Sequence, residues 1–359
     1  MALLSVGQVI RDTYTVERLL GRGAFAEVYR VEHRYLGRQA MKVFRQEGMS
    51  AEQVRDALGE AMLLSRLGHP NIVRVFEANT VEADSGGHAY FTMEYVNGGT
   101  LTGFRQSFGD AFVPIPVAVD VMRQVARGLA VAHRESPPIV HRDITPQNIL
   151  VGYDRDGPRA RISDFGLARK VSALTLLASS QGTIAFMAPE TLLHPHLASV
   201  PGDVWALGAV FYLLLTDEFP YPRRAAGDPI TAAWDTTALV PPNQVRYAVD
   251  DLLNAIIVRA LSFDTATRYP SAAEMLADLE AWPARQNPPH QDGPPRHVPP
   301  QDPPPADTGP TGTGPTGTGP TGTGRDSRRA DTPRTDRPRQ RGREPGPAGE
   351  IAAGKNTGG

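Results

Sequence analysis

The spacing of apolar and polar positions changes once along the chain, and the change divides its foldable part in two. In Tyr14-Thr15-Val16-Glu17-Arg18-Leu19-Leu20 and Ala26-Glu27-Val28-Tyr29-Arg30-Val31 the two kinds alternate around a glycine turn, and Gln39-Ala40-Met41-Lys42-Val43-Phe44 adds a third segment of this type. A period of two sends successive side chains to opposite faces, so these segments predict strands of a small antiparallel sheet. From Ser50 to Leu67 the residues Val54, Ala57, Leu58, Ala61, Leu64 and Leu67 recur at steps of three and four, which defines one face of a helix closed by Gly68-His69-Pro70-Asn71. Two more strands are expected around Ile72–Glu77 and Tyr90–Tyr95. Beyond Asn97-Gly98-Gly99 the spacing is helical, most clearly in Pro116–His133, Val204–Leu215, Asp250–Leu261 and Ser271–Trp282. The expectation is an α+β, bilobal fold: a sheet lobe with one helix over residues 14–96, then a larger, mainly helical lobe over 97–283, with residues 1–13 as a lead-in.

Composition shifts near Pro283. Residues 284–359 carry Pro-Pro pairs, Thr-Gly-Thr-Gly-Pro units from Thr311 to Gly324, and a stretch from Arg325 to Arg343 with eight arginines against Asp326, Asp331 and Asp336. Such a segment buries too little apolar surface to offset chain entropy and is expected to be disordered. The remaining 280 or so residues suffice for a two-lobed core. Over all 359 residues, 37 Lys and Arg stand against 39 Asp and Glu, a net charge of −2 that gives no reason to expect a nucleic-acid partner. There is no cysteine, which removes disulfides, thiol nucleophiles and cysteine-rich zinc sites from consideration. Met1-Ala-Leu-Leu-Ser-Val-Gly lacks the pattern of a secretory signal, and the most apolar run, Val204 to Leu215, is too short to span a bilayer. A cytoplasmic protein without a membrane anchor is expected.

The chemistry concentrates in His141-Arg142-Asp143-Ile144-Thr145-Pro146-Gln147-Asn148 and, sixteen residues after Asn148, Asp164-Phe165-Gly166. An Asp and an Asn five residues apart on one loop, facing a second Asp on the next, can orient a hydroxyl and hold magnesium against a nucleotide's phosphates. Gly21-Arg22-Gly23-Ala24-Phe25-Ala26 runs from strand to strand, not from strand to helix, so it is not a dinucleotide fingerprint. Glycines there let backbone N–H groups approach phosphate oxygens, although an ordinary hairpin loop has the same appearance. Lys42, between apolar neighbours in its strand, needs an anion if buried, and Glu60 on the helix face is in reach if that helix packs on the sheet; solvated surface residues are the alternative.

Taken together these residues resemble the eukaryotic-type protein kinase superfamily, and in detail its bacterial Ser/Thr members. The resemblance runs from about Tyr14 to Trp282. It rests on the glycine turn, Ala40-Met41-Lys42, Glu60, His69-Pro70-Asn71-Ile72-Val73, Met93-Glu94-Tyr95, the two loops above, Ala188-Pro189-Glu190 and Asp203-Val204-Trp205-Ala206-Leu207-Gly208, all in order.

The resemblance implies a protein kinase that uses ATP and Mg2+ to phosphorylate Ser/Thr hydroxyls of protein substrates. Asp143 would take or orient the hydroxyl proton, Asn148 and Asp164 would coordinate magnesium, and Lys42, held by Glu60, would fix the α- and β-phosphates. Leu20, Gly21, Arg22, Gly23, Ala24, Phe25, Ala26, Glu27 and Val28 would form the roof over the nucleotide. Adenine would lie between Val28 and Ala40 above and Leu150 below, behind Met93 and against the backbone near Glu94 and Val96. His141 and Phe165 would pack in a column with Leu64 and Val75, Asp203 would anchor the catalytic loop's backbone, and Glu190 would pair with Arg268. Leu167 to Thr183 would be the activation segment. Thr175, Ser179 and Ser180 are its candidate phosphosites, filled by autophosphorylation within a transient homodimer, and Arg142 would receive the phosphate. Pro146 and Thr183 place the chain nearer the Ser/Thr group, and the resemblance counts Thr183 with Asp143, Lys42 and Asn148 as catalytic. Two departures stand out: Ala26 replaces the third glycine, and Thr145 stands where a lysine would contact the γ-phosphate. They keep open the alternative of a pseudokinase, an ATP-binding scaffold.

Overall fold

The computed structural model describes residues 2–23, 26–45, 59, 65, 67–83, 86–165, 183–194, 198–221 and 239–283. Outside this set fall most of the helix expected from Ser50 to Leu67, with Glu60 and Leu64, and the tip Ala24-Phe25 of the glycine turn. So do the activation segment through Gly182, with Thr175, Ser179 and Ser180, and the tail 284–359.

The small lobe is a six-stranded antiparallel sheet in the order β1 (Val9–Ile10), β2 (Tyr14–Arg22), β3 (Ala26–His33), β4 (Gly37–Phe44), β6 (Gly86–Glu94), β5 (Val75–Ala83). Strand alternation gives it two buried faces. Ala26, Val28, Ala40, Phe44, Phe91 and Met93 join the main core, which continues into the helical lobe. Tyr29, Val31, Met41, Val43 and Tyr90 point the other way into a second cluster closed by Leu4 and Ile10. The lead-in packs on this lobe: β1 extends the sheet and Leu4 plugs its outer face.

The expected strand at Ile72–Glu77 is displaced. Extended pairing begins at Val75 and runs to Ala83, with an irregularity between Val75 and Glu77. The preceding apolar residues serve another purpose, because residues 71–73 bond to the larger lobe. The Val73 amide donates to the Ile162 carbonyl at 2.9 Å, the Ile162 amide to the Asn71 carbonyl at 2.9 Å, and the Asn71 side-chain amide to the Ala160 carbonyl at 2.8 Å. Asn71 backbone also lies so near Gly128 that a Cβ there would come within 2.8 Å of the Asn71 carbonyl oxygen.

The larger lobe opens with β7 (Gly98–Thr100) and the short helix α1 (Leu101–Gln106), then α2 (Ile115–His133). β7 pairs with the hairpin β8 (Ile149–Asp154) and β9 (Gly157–Ile162), whose tip is the exposed turn expected at Asp154-Arg155-Asp156. A Cβ at Gly98 would fall 2.0 Å from the Val151 carbonyl oxygen, so only glycine lets the linker after β6 lie against β8. After a 3-10 turn at Thr183–Phe186 come α3 (Pro189–Leu193), α4 (Val200–Thr216), α5 (Pro242–Val245), α6 (Asp251–Ala260) and α7 (Ala272–Ala281). α4 starts at Ser199, whose hydroxyl accepts from the Gly202 amide at 3.1 Å, and is buried on nearly every side, as its unbroken apolar run requires. Among the described residues no helix is long and apolar enough to cross a membrane.

Candidate active site

Sheet register brings the upper half of the site together. Val28 pairs with Lys42, and Lys42 with Phe91; Ala40 pairs with Met93. Paired residues share a face, so Val28, Ala40, Lys42 and Met93 all look toward the main core and the helical lobe. Val28, Ala40, Met93, Val96 and, from β8, Leu150 belong to one apolar cluster, the set expected around an adenine ring. Glu94 is tied to the lower half: its carboxylate lies 3.1 Å from Nε of Arg161 on β9, and its amide donates to the Arg74 carbonyl at 2.8 Å.

In the glycine turn, the Gly23 amide donates to the Ala26 carbonyl at 2.8 Å, and a Cβ at Gly21 would meet open space. Leu20 falls in an irregularity between Leu19 and Gly21 and is half-exposed. One expected contact is corrected. Glu27, placed above in the nucleotide roof, sends its side chain to the opposite face, because it alternates with Ala26 and Val28. There it is fully buried and accepts from the Leu3 amide at 2.8 Å, from the Tyr29 hydroxyl and from Arg45 at 2.6 Å, with Arg22 2.9 Å away.

The lower half is two loops held edge to edge. Asn148 donates through Nδ2 to both the Asp143 carboxylate and the Asp143 carbonyl, each at 2.8 Å, which leaves its amide oxygen outside these bonds. Ser163 fastens this loop to the next one: its amide and hydroxyl donate to the Asn148 carbonyl at 2.8 and 3.1 Å. His141 completes the link, accepting the Asp143 amide at Nδ1 (3.2 Å) and meeting the Ser163 carbonyl at Nε2 (2.9 Å). Its ring lies 4.5 Å from that of Phe165. The structural use expected for His141 is thus observed. Asp164, with a left-handed backbone (φ 61°), puts Oδ1 2.7 Å from Lys42 Nζ and so couples the two lobes.

Beneath the loop, Asp203 is buried and held by three partners. It accepts the His141 amide at 2.6 Å and the Arg142 amide at 2.8 Å, and faces His133 Nε2 at 3.1 Å. Arg142 is thereby held at φ 74°, a conformation that L-residues adopt at a cost of about 1–2 kcal/mol. The expected Glu190–Arg268 pair is present and bidentate, at 2.6 and 3.1 Å.

Burial pushes the Asp143 carboxyl above the ordinary aspartate value. The nearby Asp164 charge adds to this, while His141, the Asn148 hydrogen bond and Lys42 oppose it. Asp143 and Thr145 line a cleft together with Phe186, Ala188, Thr191 and Gly202. Thr145 is buried, and its carbonyl accepts the Asn148 amide at 3.0 Å. Among the described residues no three His, Cys, Asp or Glu side chains form a ready-made metal cage.

A two-lobed fold with an apolar slot under a glycine turn, a lysine paired to a loop aspartate and an Asp–Asn loop below defines a phosphotransferase scaffold. The family model for the protein kinase domain matches residues 14–278, and the chain belongs to that family. It is 31% identical to the Ser/Thr protein kinase PknB of Mycobacterium leprae, over 75% of this chain and 43% of that one. It is also 31% identical to PrkC of Bacillus subtilis, over 77% of this chain and 41% of that one. The chain thus spans about two fifths of the length of these curated relatives. A crystal structure of the Mycobacterium tuberculosis PknI kinase domain aligns with a TM-score of 0.57 at 27% identity, covering 77% of this chain and 99% of that one.

Proposed function

We propose that this chain is a Ser/Thr protein kinase that transfers the γ-phosphate of ATP to protein hydroxyls, with magnesium as its metal. The observation that carries the reading is the pairing of Lys42 with Asp164 and of Asn148 with Asp143, together with the apolar cluster that holds Val28, Ala40, Met93 and Leu150. Magnesium fits this donor set: it favours hard oxygen ligands, binds through one or two carboxylates and completes its shell with phosphates and water. Asp164 and the Asn148 amide oxygen would hold it, and the open space over Gly21 leaves room for phosphate oxygens. Bound there, the metal neutralises charge on the phosphates. Lys42 binds the α- and β-phosphates, Asp143 accepts the proton of the incoming hydroxyl, and the partly buried Asn148 bond fixes the carboxylate's aim. The cleft walled by Asp143 and Thr145 receives the acceptor residue. Autophosphorylation at Thr175, Ser179 or Ser180, between two copies in passing contact, belongs to the same reading.

The test is incubation of the purified chain with Mg-ATP and casein, followed by phosphopeptide mapping. Phosphoserine or phosphothreonine on casein, abolished by EDTA, is expected. No phosphate on casein or on the chain itself would favour the scaffold reading.

Thr145 adds a second measurement. A neutral hydroxyl leaves transition-state charge uncompensated, at a cost of about 2–4 kcal/mol if it resembles loss of an oxyanion donor. Thr145→Lys is therefore expected to keep or raise kcat. Complete loss of transfer in a folded Thr145→Lys chain would show that the site is built around the threonine.

A further inference from the structure

We infer that Glu27 is a positioning residue for the nucleotide, acting from the far side of the sheet by fastening the glycine turn to the end of the Lys42 strand and to the N-terminal segment. The inference rests on the kinase reading above for its catalytic consequence, but its mechanical part stands on geometry alone.

Glu27 is fully buried, and four donors converge on its carboxylate. Oε1 takes Arg45 Nη2 at 2.6 Å and Arg22 Nε at 2.9 Å; Oε2 takes the Leu3 amide at 2.8 Å and the Tyr29 hydroxyl. Tyr29 in turn accepts the Leu4 amide at 3.0 Å. A carboxylate offers about four acceptor directions, so this one is saturated, which is how a buried charge is tolerated. Burial alone would raise its pKa; the bonds from Leu3, Tyr29 and Arg45 and the charge of Arg22 outweigh that and hold it below the ordinary glutamate value.

The four donors come from places that matter for the nucleotide. Arg22 lies between the two glycines of the turn. Arg45 directly follows β4, the strand that carries Lys42, and Glu27 itself pairs with Arg22 and Val43 across the sheet. Leu3 and Leu4 precede the stretch matched by the family model, which starts at residue 14. One carboxylate therefore links the turn to the Lys42 strand, and the N-terminal residues supply two backbone donors, Leu3 to the carboxylate and Leu4 to the Tyr29 hydroxyl that bonds it. Gly21 and Gly23 bring no side chain to hold the turn, so the Arg22–Glu27 pair adds a restraint that the glycines cannot.

Two variants test this. Glu27→Gln replaces the charge isosterically, and Arg22→Met cuts one arm whose side chain is 45% exposed, so its loss does not threaten folding. Amide hydrogen exchange over residues 17–28, read without nucleotide, is expected to quicken by about tenfold in Glu27→Gln and less in Arg22→Met, with α4 unchanged. The KM for ATP is expected to rise about five- to tenfold in Glu27→Gln and about threefold in Arg22→Met, while the KM for casein stays put. The double variant should match Glu27→Gln alone, because both substitutions cut the same link. Unchanged exchange in both variants overturns the inference, and so does faster exchange with an unaltered KM for ATP. A wild-type chain that transfers no phosphate defeats the kinase reading instead, and the exchange arm still decides whether Glu27 holds the turn.

Discussion

A chain carrying Asp143→Asn is expected to lose phosphate transfer by roughly 10²–10⁴-fold, the usual worth of a positioned general base, while its thermal stability and ATP affinity stay close to wild type. The substitution separates shape from proton affinity. The Asn148 amide that now donates to the Asp143 carboxylate at 2.8 Å can donate equally to an asparagine carbonyl, so the loop keeps its form. The capacity to take a proton is what disappears. Wild type should also show an acid limb in kcat/KM. The base works when deprotonated and burial raises its pKa, so the rate falls as pH drops through a value above the ordinary 3.8 for aspartate. In Asp143→Asn that limb is expected to vanish. A variant within tenfold of wild type, with the limb intact, would remove Asp143 from the mechanism.

Asp203→Ala is expected to be the most destabilising single change near the site, by about 3–5 kcal/mol, the range seen when one partner of a buried charged network is removed. The carboxylate is 2% exposed and satisfies two backbone amides and one imidazole. Alanine removes the acceptor of the buried His141 N–H and of the partly buried Arg142 N–H, and an unsatisfied buried donor costs about 1–3 kcal/mol. It also frees Arg142 from φ 74°, so the loop relaxes toward an ordinary conformation and carries Asp143 with it. Thermal unfolding should report a fall in Tm of about 10 °C for a domain of this size. Transfer below the new Tm should fall as well. Asp203→Asn, which keeps one acceptor, is expected to lie between. A Tm within 2 °C of wild type in Asp203→Ala would mean the loop has other support.

How much of this could be read in the sequence follows from how local each feature is. The Asp143–Asn148 spacing, the strand alternation around Lys42 and the long apolar run of α4 are contiguous patterns, and all reappear in the fold. Ser163, His133 and Arg161 were missed because their partners, Asn148, Asp203 and Glu94, stand 15, 70 and 67 positions away and nothing in their own neighbourhoods marks them. Glu27 was misplaced for a different reason. A motif names the residues of a loop without saying which face each side chain takes, whereas alternation with Ala26 and Val28 would have turned it away. The strand expected at Ile72–Glu77 begins three residues late, at Val75, because apolar residues that bond to a neighbouring hairpin look the same as those of a sheet. The six-residue α1, interrupted by Gly103, carries too few turns to show a period.

The stitching of residues 71–73 to β9 has a mechanical consequence. Among the described residues the sheet lobe's backbone meets the helical lobe along two lines, the linker at Glu94–Gly98 and this second seam, where four hydrogen bonds cross. A body held at one point can tilt in any direction, but held at two it can only swing about the line between them. Opening the slot to release nucleotide would then lift the glycine turn and Lys42 through the widest arc while the start of β5 stays almost still. The Lys42–Asp164 contact, which bridges the lobes outside both joints, would part in such a swing.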